Sequence, residues 1–180
     1  VHVCKTPCEV SEGTDVTILM LTDAEAVEEV IFGAEGNSEG LANNLRPGSL
    51  LIDMGTTSVL KTRAFATKLE MSGSEWVDAP VSGGTTAAES GTLTIMVGGS
   101  DQAFQQALPW LQILGERITH VGDTGAGQIA KSANQMIVGL TIAAVAEAFT
   151  LANANGVEPE KIREALFGGF AHSRILELHG

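Results

Sequence analysis

Lys131 and Asn134 stand three residues apart in a run from Val121 to Asn155 that holds few other polar residues. A helix puts residues at that spacing on one face, and Gly127, one turn before Lys131, lets another backbone come close. An ammonium and an amide together on an apolar helix make a site-like face; the plain alternative is a surface lysine with a neighbouring amide. A second group lies upstream. Asp78-Ala-Pro-Val-Ser-Gly-Gly84 sets Pro80 and two permissive glycines around Ser82, and Thr86-Ala-Ala-Glu89 behind it reads as a capping box. A strand that passes through a tight loop into a helix N-terminus presents free N–H groups, which favour an anion such as a carboxylate. The alternative is a structural turn.

The elements that must position these residues follow from apolar patterning. Val16-Thr-Ile-Leu-Met-Leu21 is an unbroken apolar run of strand length, the pattern of a strand buried on both faces. Thr22-Asp-Ala-Glu25 is a capping box with Thr22 as N-cap, opening a helix that ends at Gly33. The unit repeats: strand Ser49–Asp53, then a helix capped by Thr56 or Thr57 with Phe65, Ala66 and Leu69 as its buried stripe, then a strand from Glu75 to Ala79. Leu93–Val97 makes a fourth strand, a helix follows from Asp101 with Pro109 expected to kink or divide it, and Ile118–Val121 is a short last strand. The order implies a doubly wound, mainly parallel α/β sheet, with ligands beyond the carboxyl ends at Leu21-Thr22, Asp53 to Thr57 and Asp78 to Gly84. A helix of about 30 residues then spans roughly 45 Å, more than a small domain needs, and is expected to bridge two lobes. Asn153 to Gly156 closes it and Pro159 opens the next helix. The expected division is 1–121, a partial Rossmann-like unit, and 122–180, the bridging helix with the start of an all-α region.

Composition narrows the functions. Ten basic residues against 22 acidic give a net charge of −12, with 4% aromatics, a balance that repels phosphate backbones. Cys4 and Cys8 lack a second Cys/His pair, so neither zinc nor a disulfide framework is indicated, and no metal site is expected. His172 and His179 read as surface histidines. No signal peptide is evident, and Lys131, Asn134, Gln135 and Glu147 argue against a membrane span, so the expected setting is cytoplasmic and reducing. Gly125-Ala-Gly-Gln-Ile-Ala130 matches the G-x-G-x-x-A dinucleotide fingerprint, but the acidic residue about 20 positions on, Glu147, falls inside uninterrupted helix instead of closing a strand. It is set aside as a decoy. The chain starts at Val1 and stops at the opening of another helix, and is expected to be a fragment.

Asp78-Ala-Pro-Val-Ser-Gly-Gly84, with Gly91-Thr-Leu and Met96-Val-Gly-Gly99, then Gly125-x-Gly127-x-x-x-Lys131-x-x-Asn134, resembles the β-hydroxyacid dehydrogenases. That family includes 3-hydroxyisobutyrate dehydrogenase and 2-hydroxy-3-oxopropionate (tartronate semialdehyde) reductase; Phe167 to Gly180 resembles the reductase branch more. The resemblance runs from about Val16 to Gly180 and implies hydride transfer between NAD or NADP and a small anionic hydroxy acid or its semialdehyde. It matches Lys131 to the family's catalytic lysine, Ser82-Gly83-Gly84 to its substrate-carboxylate loop and Asn134 to a substrate-orienting amide. Leu21-Thr22 matches a segment against the cofactor, with Thr22 where the family usually has proline, and Thr56 a threonine near the nicotinamide ribose. Lys131 would give a proton to the forming alkoxide in reduction and take it in oxidation, which needs a pKa pulled toward neutrality. Two other functions compete: a non-catalytic dehydrogenase-like binding module, and a fragment that assembles into homo-oligomers through its exposed apolar helix. No nucleic-acid or membrane partner is expected.

Overall fold

The computed structural model describes residues 2–34 and 39–180, without the side chain of His179. The chain divides into two compact units, Val1–Lys131 and Ser132–Gly180. In the first, a short helix α1 (Pro7–Ser11) precedes β1 (Val16–Leu19), α2 (Ala24–Phe32), β2 (Leu50–Asp53), α3 (Val59–Glu70) and β3 (Glu75–Asp78). Then come β4 (Val81–Ser82), α4 (Gly84–Ser90), β5 (Leu93–Gly98), α5 (Asp101–Leu114), β6 (Gly115–Gly122) and the start of α6 (Ala126–Ala154).

The apolar runs form the sheet as expected of α/β patterning. β1, β2 and β3 are parallel neighbours in a register that sets Leu19, Asp53 and Asp78 side by side at their carboxyl ends. β5 runs antiparallel to β3 and β4, and β6 runs parallel to β5. Strand residues alternate between two cores. Leu50, Ile52, Val77, Ile95 and Val97 pack with Ala103, Ala107 and Leu111 of α5 on one face. Leu51 and Trp76 pack with Val27 and Ile31 of α2 and Phe65, Ala66 and Leu69 of α3 on the other. The expected stripe of α3 is the buried one, with Thr62 added.

Several local expectations change. β1 stops at Leu19, and Ile18 and Met20 are 42% and 66% exposed, so this run is not buried on both faces. Among the described residues β1 pairs with β2 alone, and α5 packs on β2, β3, β5 and β6. The N-cap of α2 is Asp23, whose carboxylate accepts from Ala26 N–H at 2.8 Å; Thr22 only donates to Asp23. Neither Thr56 nor Thr57 caps α3. Thr57 Oγ turns back to Asp53 at 3.1 Å, leaving Ser58 at the cap. The proposed box at Thr86 lies inside α4, which starts at Gly84 because Gly83 turns the chain there with φ 135°. Pro109 does not divide α5, which continues through it to Leu114, with Pro109 on the exposed side of the helix. β6 is longer than foreseen.

α6 carries 29 residues across the boundary between the two units, with Glu147 inside it, as the rejection of the fingerprint required. It is long and apolar enough, by length and composition, to cross a membrane, so its few polar residues do not exclude a span as composition implied; 6% of its most apolar stretch is buried. In the second unit, α7 (Pro159–Leu166) opens on Pro159 and α8 (Arg174–His179) is capped by Ser173. Arg163 joins them, donating to the carbonyls of Leu176 and Glu177. His172 pairs with Glu177 at 2.8 Å on the surface; the side chain of His179 lies outside the described residues.

Candidate functional site

Two buried carboxylates organise the carboxyl end of the sheet. Asp53 and Asp78 are both 0% exposed and are register partners on β2 and β3. A buried carboxylate needs donors. Asp53 receives Gly55 N–H at 3.0 Å and Thr57 Oγ–H at 3.1 Å. Asp78 receives Gly125 N–H at 2.7 Å and Gln128 N–H at 2.9 Å, two donors at the start of α6. Burial pushes Asp53 up to about 6 against its hydrogen bonds from Gly55 and Thr57, with the charge of Asp78 adding to the rise. Burial also raises Asp78, opposed by the Gly125 and Gln128 N–H groups.

Asp78 gives the physical reason that the G-x-G-x-x-A match is a decoy. The helix end that would receive a phosphate already holds an internal anion. Gly127 serves the same packing: a Cβ there would lie 2.4 Å from Met96 O and 2.6 Å from Asp78 O. What approaches Gly127 is the sheet.

Lys131 follows one turn later. It is half-buried, and Nζ donates to the carbonyl of Val81 at 2.8 Å. Burial holds its ammonium below the ordinary lysine range, and among the described residues it forms no salt bridge. Ser82 comes next after Val81, so the structure brings Lys131 to the backbone of the Ser82-Gly83-Gly84 loop. Ser82 is half-buried and paired through its backbone with Thr94. Gly83 and Gly84 are exposed, with φ 135° and 67°, and no side chain caps α4.

The other expected residues are placed less tightly. Thr56 is exposed between Gly55 and Thr57. Leu21 is half-buried and Thr22 exposed at the end of β1; a Cβ on Gly55 would meet Leu21 O at 2.9 Å, so these two loops touch. Asn134 belongs to the second unit, where its Nδ2 donates to Gln135 at 2.9 Å. Sequence reasoning missed Gln128, 1% exposed, and the role of the two aspartates. The available signal was an acidic residue closing each of two strands, after Leu-Leu-Ile in β2 and after Trp-Val in β3. Among the described residues no group of three or more His, Cys, Asp or Glu side chains is disposed to hold a metal, and both cysteines are free thiols.

The end of the sheet therefore offers the exposed Thr56 and Thr22, an exposed Gly83-Gly84 turn after β4 without a side-chain cap, and an amine with a lowered proton affinity hydrogen-bonded beside that turn.

Residues 1–122 match the NAD binding domain of 6-phosphogluconate dehydrogenase, and residues 125–180 match the NAD-binding region of NADP-dependent 3-hydroxyisobutyrate dehydrogenase. The chain is 44% identical over 176 residues to 2-hydroxy-3-oxopropionate reductase of Escherichia coli, covering 98% of this chain and 59% of the relative. It is 39% identical over 160 residues to a probable mitochondrial 3-hydroxyisobutyrate dehydrogenase of Dictyostelium discoideum, covering 89% and 49%. Among solved structures it resembles Mycobacterium tuberculosis 3-hydroxyisobutyrate dehydrogenase with L-serine, at a TM-score of 0.82 and 35% identity, covering 96% of this chain and 56% of that one. The chain thus spans between about half and three-fifths of the length of these relatives.

Proposed function

The chain belongs to the β-hydroxyacid dehydrogenase family, and from that premise we propose that the protein is an oxidoreductase transferring a hydride between NAD or NADP and a small 3-hydroxy acid or its semialdehyde. The observation that carries the proposal is Lys131: half-buried, without a salt bridge among the described residues, and hydrogen-bonded to the residue that precedes Ser82. The nicotinamide, when bound, supplies or accepts the hydride. The rest of the work is the protein's. Thr56 and the Leu21-Thr22 segment hold the cofactor from the adjoining ends of β2 and β1. Ser82 and the N–H groups of Gly83 and Gly84 receive the substrate carboxylate, giving orientation. Lys131 Nζ–H exchanges Val81 O for the substrate oxygen, gives its proton as the alkoxide forms and takes it back in oxidation; Asn134 orients the hydroxyl. A lysine held below its usual range by burial can do both.

Within this class the higher identity to the reductase, 44% against 39%, supports a 2-hydroxy-3-oxopropionate-type semialdehyde as substrate. We place the functional division at 121/122, with cofactor binding before it and the bridging helix after it, in a cytoplasmic protein. Exposed Met136, Ile137 and Leu140 on α6 support a homo-oligomer formed through the helical region. Light scattering that finds a monomer would remove this last element and leave the chemistry standing. For the chemistry the test is NADH and NADPH oxidation with tartronate semialdehyde and methylmalonate semialdehyde. Turnover that Lys131→Ala abolishes supports it; cofactor binding without turnover of either aldehyde would move a non-catalytic binding module ahead.

A further inference from the structure

We propose that Gln128 is a positioning residue that sets the cofactor-side loop Gly55–Thr57 in register with the helix carrying Lys131. The inference rests on the reading of Thr56 and Lys131 above. The Gln128 carboxamide engages the two residues flanking Thr56: Oε1 accepts Thr57 N–H at 3.1 Å and Nε2 donates to Gly55 O at 2.9 Å. Its backbone N–H is held by Asp78 at 2.9 Å. One residue thus binds the end of β3 and the loop after β2.

The loop has a second tie, of a different kind. Asp53 holds Gly55 N–H and Thr57 Oγ–H to the loop's own strand. Among the described residues its hydrogen bonds to α6 are those of Gln128. Without them the loop stays on β2, but loses the hydrogen bonds that tie it to the helix. Gln128 and Lys131 are one turn apart on a continuous helix, so the placement of Gln128 is transmitted to the amine. The partners dictate the residue type. They demand one acceptor and one donor on the same planar group, which a neutral amide supplies and an aliphatic side chain does not. A carboxylate offers no donor and would add charge next to Asp53 on β2 and Asp78 on β3, with Arg63 of α3 holding Thr124 and Lys131 one turn along.

Hydride transfer and proton transfer at one carbon–oxygen bond require cofactor and amine in mutual register, and misplacement by an ångström costs about a hundredfold. The experiment uses the full-length protein with NADH or NADPH and tartronate semialdehyde. Gln128→Met keeps the volume and removes both bonds. We expect kcat to fall tenfold or more well below the melting temperature, and the primary deuterium isotope effect on kcat from 4-deuterated cofactor to rise. Gln128→Glu offers both bonds only while its carboxyl is neutral, so its kcat relative to wild type should recover toward low pH. The new carboxyl titrates together with Asp53, Asp78 and Lys131, so the same ratio is also taken in an Asp53→Asn background, where a recovery that belongs to residue 128 persists. Wild-type kcat and isotope effect in Gln128→Met, or a pH-independent ratio for Gln128→Glu, overturns the inference; the second arm decides should the first variant not fold. A wild-type protein inactive with both aldehydes and both cofactors overturns the reading beneath it instead.

Discussion

Two glycine-rich turns in this chain lead into helices, and they end in opposite states. At Gly125-Ala-Gly127 the N–H groups opening α6 are taken by Asp78, and the sheet fills the space that a Gly127 side chain would need. At Ser82-Gly83-Gly84 no side chain caps α4, and a Cβ on Gly84 would meet nothing within 4 Å. The sequences look alike, and the first even carries a dinucleotide fingerprint. What separates them is whether an internal anion occupies the helix end. The occupied turn is an anchor that fixes the start of the helix carrying Lys131; the uncapped one is the turn to which the proposed function assigns the substrate carboxylate.

The largest effect that would break this contrast is Gly127→Ala. With a backbone oxygen 2.4 Å from the new Cβ, α6 must lift from β3 and β5, and we expect a loss of about 3 kcal/mol or more in urea unfolding. Gly84→Ala meets only the penalty of its left-handed φ, about 1 kcal/mol. Equal losses would dissolve the comparison. Asp78→Ala leaves the Gly125 and Gln128 N–H groups buried without their acceptor, and should cost about 2–3 kcal/mol.

A pH series sharpens the anchor further. Asp53 titrates near 6 in the fold against an ordinary 3.8, so the folded state holds its proton more tightly. Its contribution to stability is complete below about pH 4, declines as the unfolded carboxyl ionises, and is gone above about pH 6. Asp53→Asn should lessen the slope of the unfolding midpoint across that window, the raised Asp78 carboxyl keeping a decline of the same sign; an unchanged slope would assign the decline elsewhere. The smallest effect belongs to the open turn. Ser82→Ala should raise KM by about tenfold with kcat nearly kept, since one hydrogen bond to a carboxylate is worth about 1.5 kcal/mol in ground and transition states alike. An unchanged KM would count against the carboxylate loop.

The architecture was legible because apolar run length and helical spacing encode it directly. β2, the stripe of α3 and the whole of α6 followed from a few residues each. Caps were less legible where several candidates adjoin: Thr22 and Asp23 can both cap, and the charged one did, while Thr57 found Asp53 instead of its own helix. Pro109 did not divide α5, which runs through it from Asp101 to Leu114. Lys131 and the Ser82 loop could be singled out by residue type, yet the contact between them through Val81 could not. The Asp53, Gln128 and Asp78 network was invisible for the same reason. Its members come from three segments that only the parallel register of β2 and β3 and the seating of α6 bring together, and a buried carboxylate has no local signature beyond an acidic residue ending an apolar strand.

The most direct test of the account is kcat for Lys131→Ala in the full-length protein, with cofactor affinity and a wild-type pH profile measured alongside. The account predicts a fall of about 10²–10⁴-fold at nearly unchanged cofactor Kd. In the wild type, reduction should slow and oxidation should quicken as pH rises through the lowered lysine value. Near-normal turnover in the variant would contradict it and remove Lys131 from the chemistry.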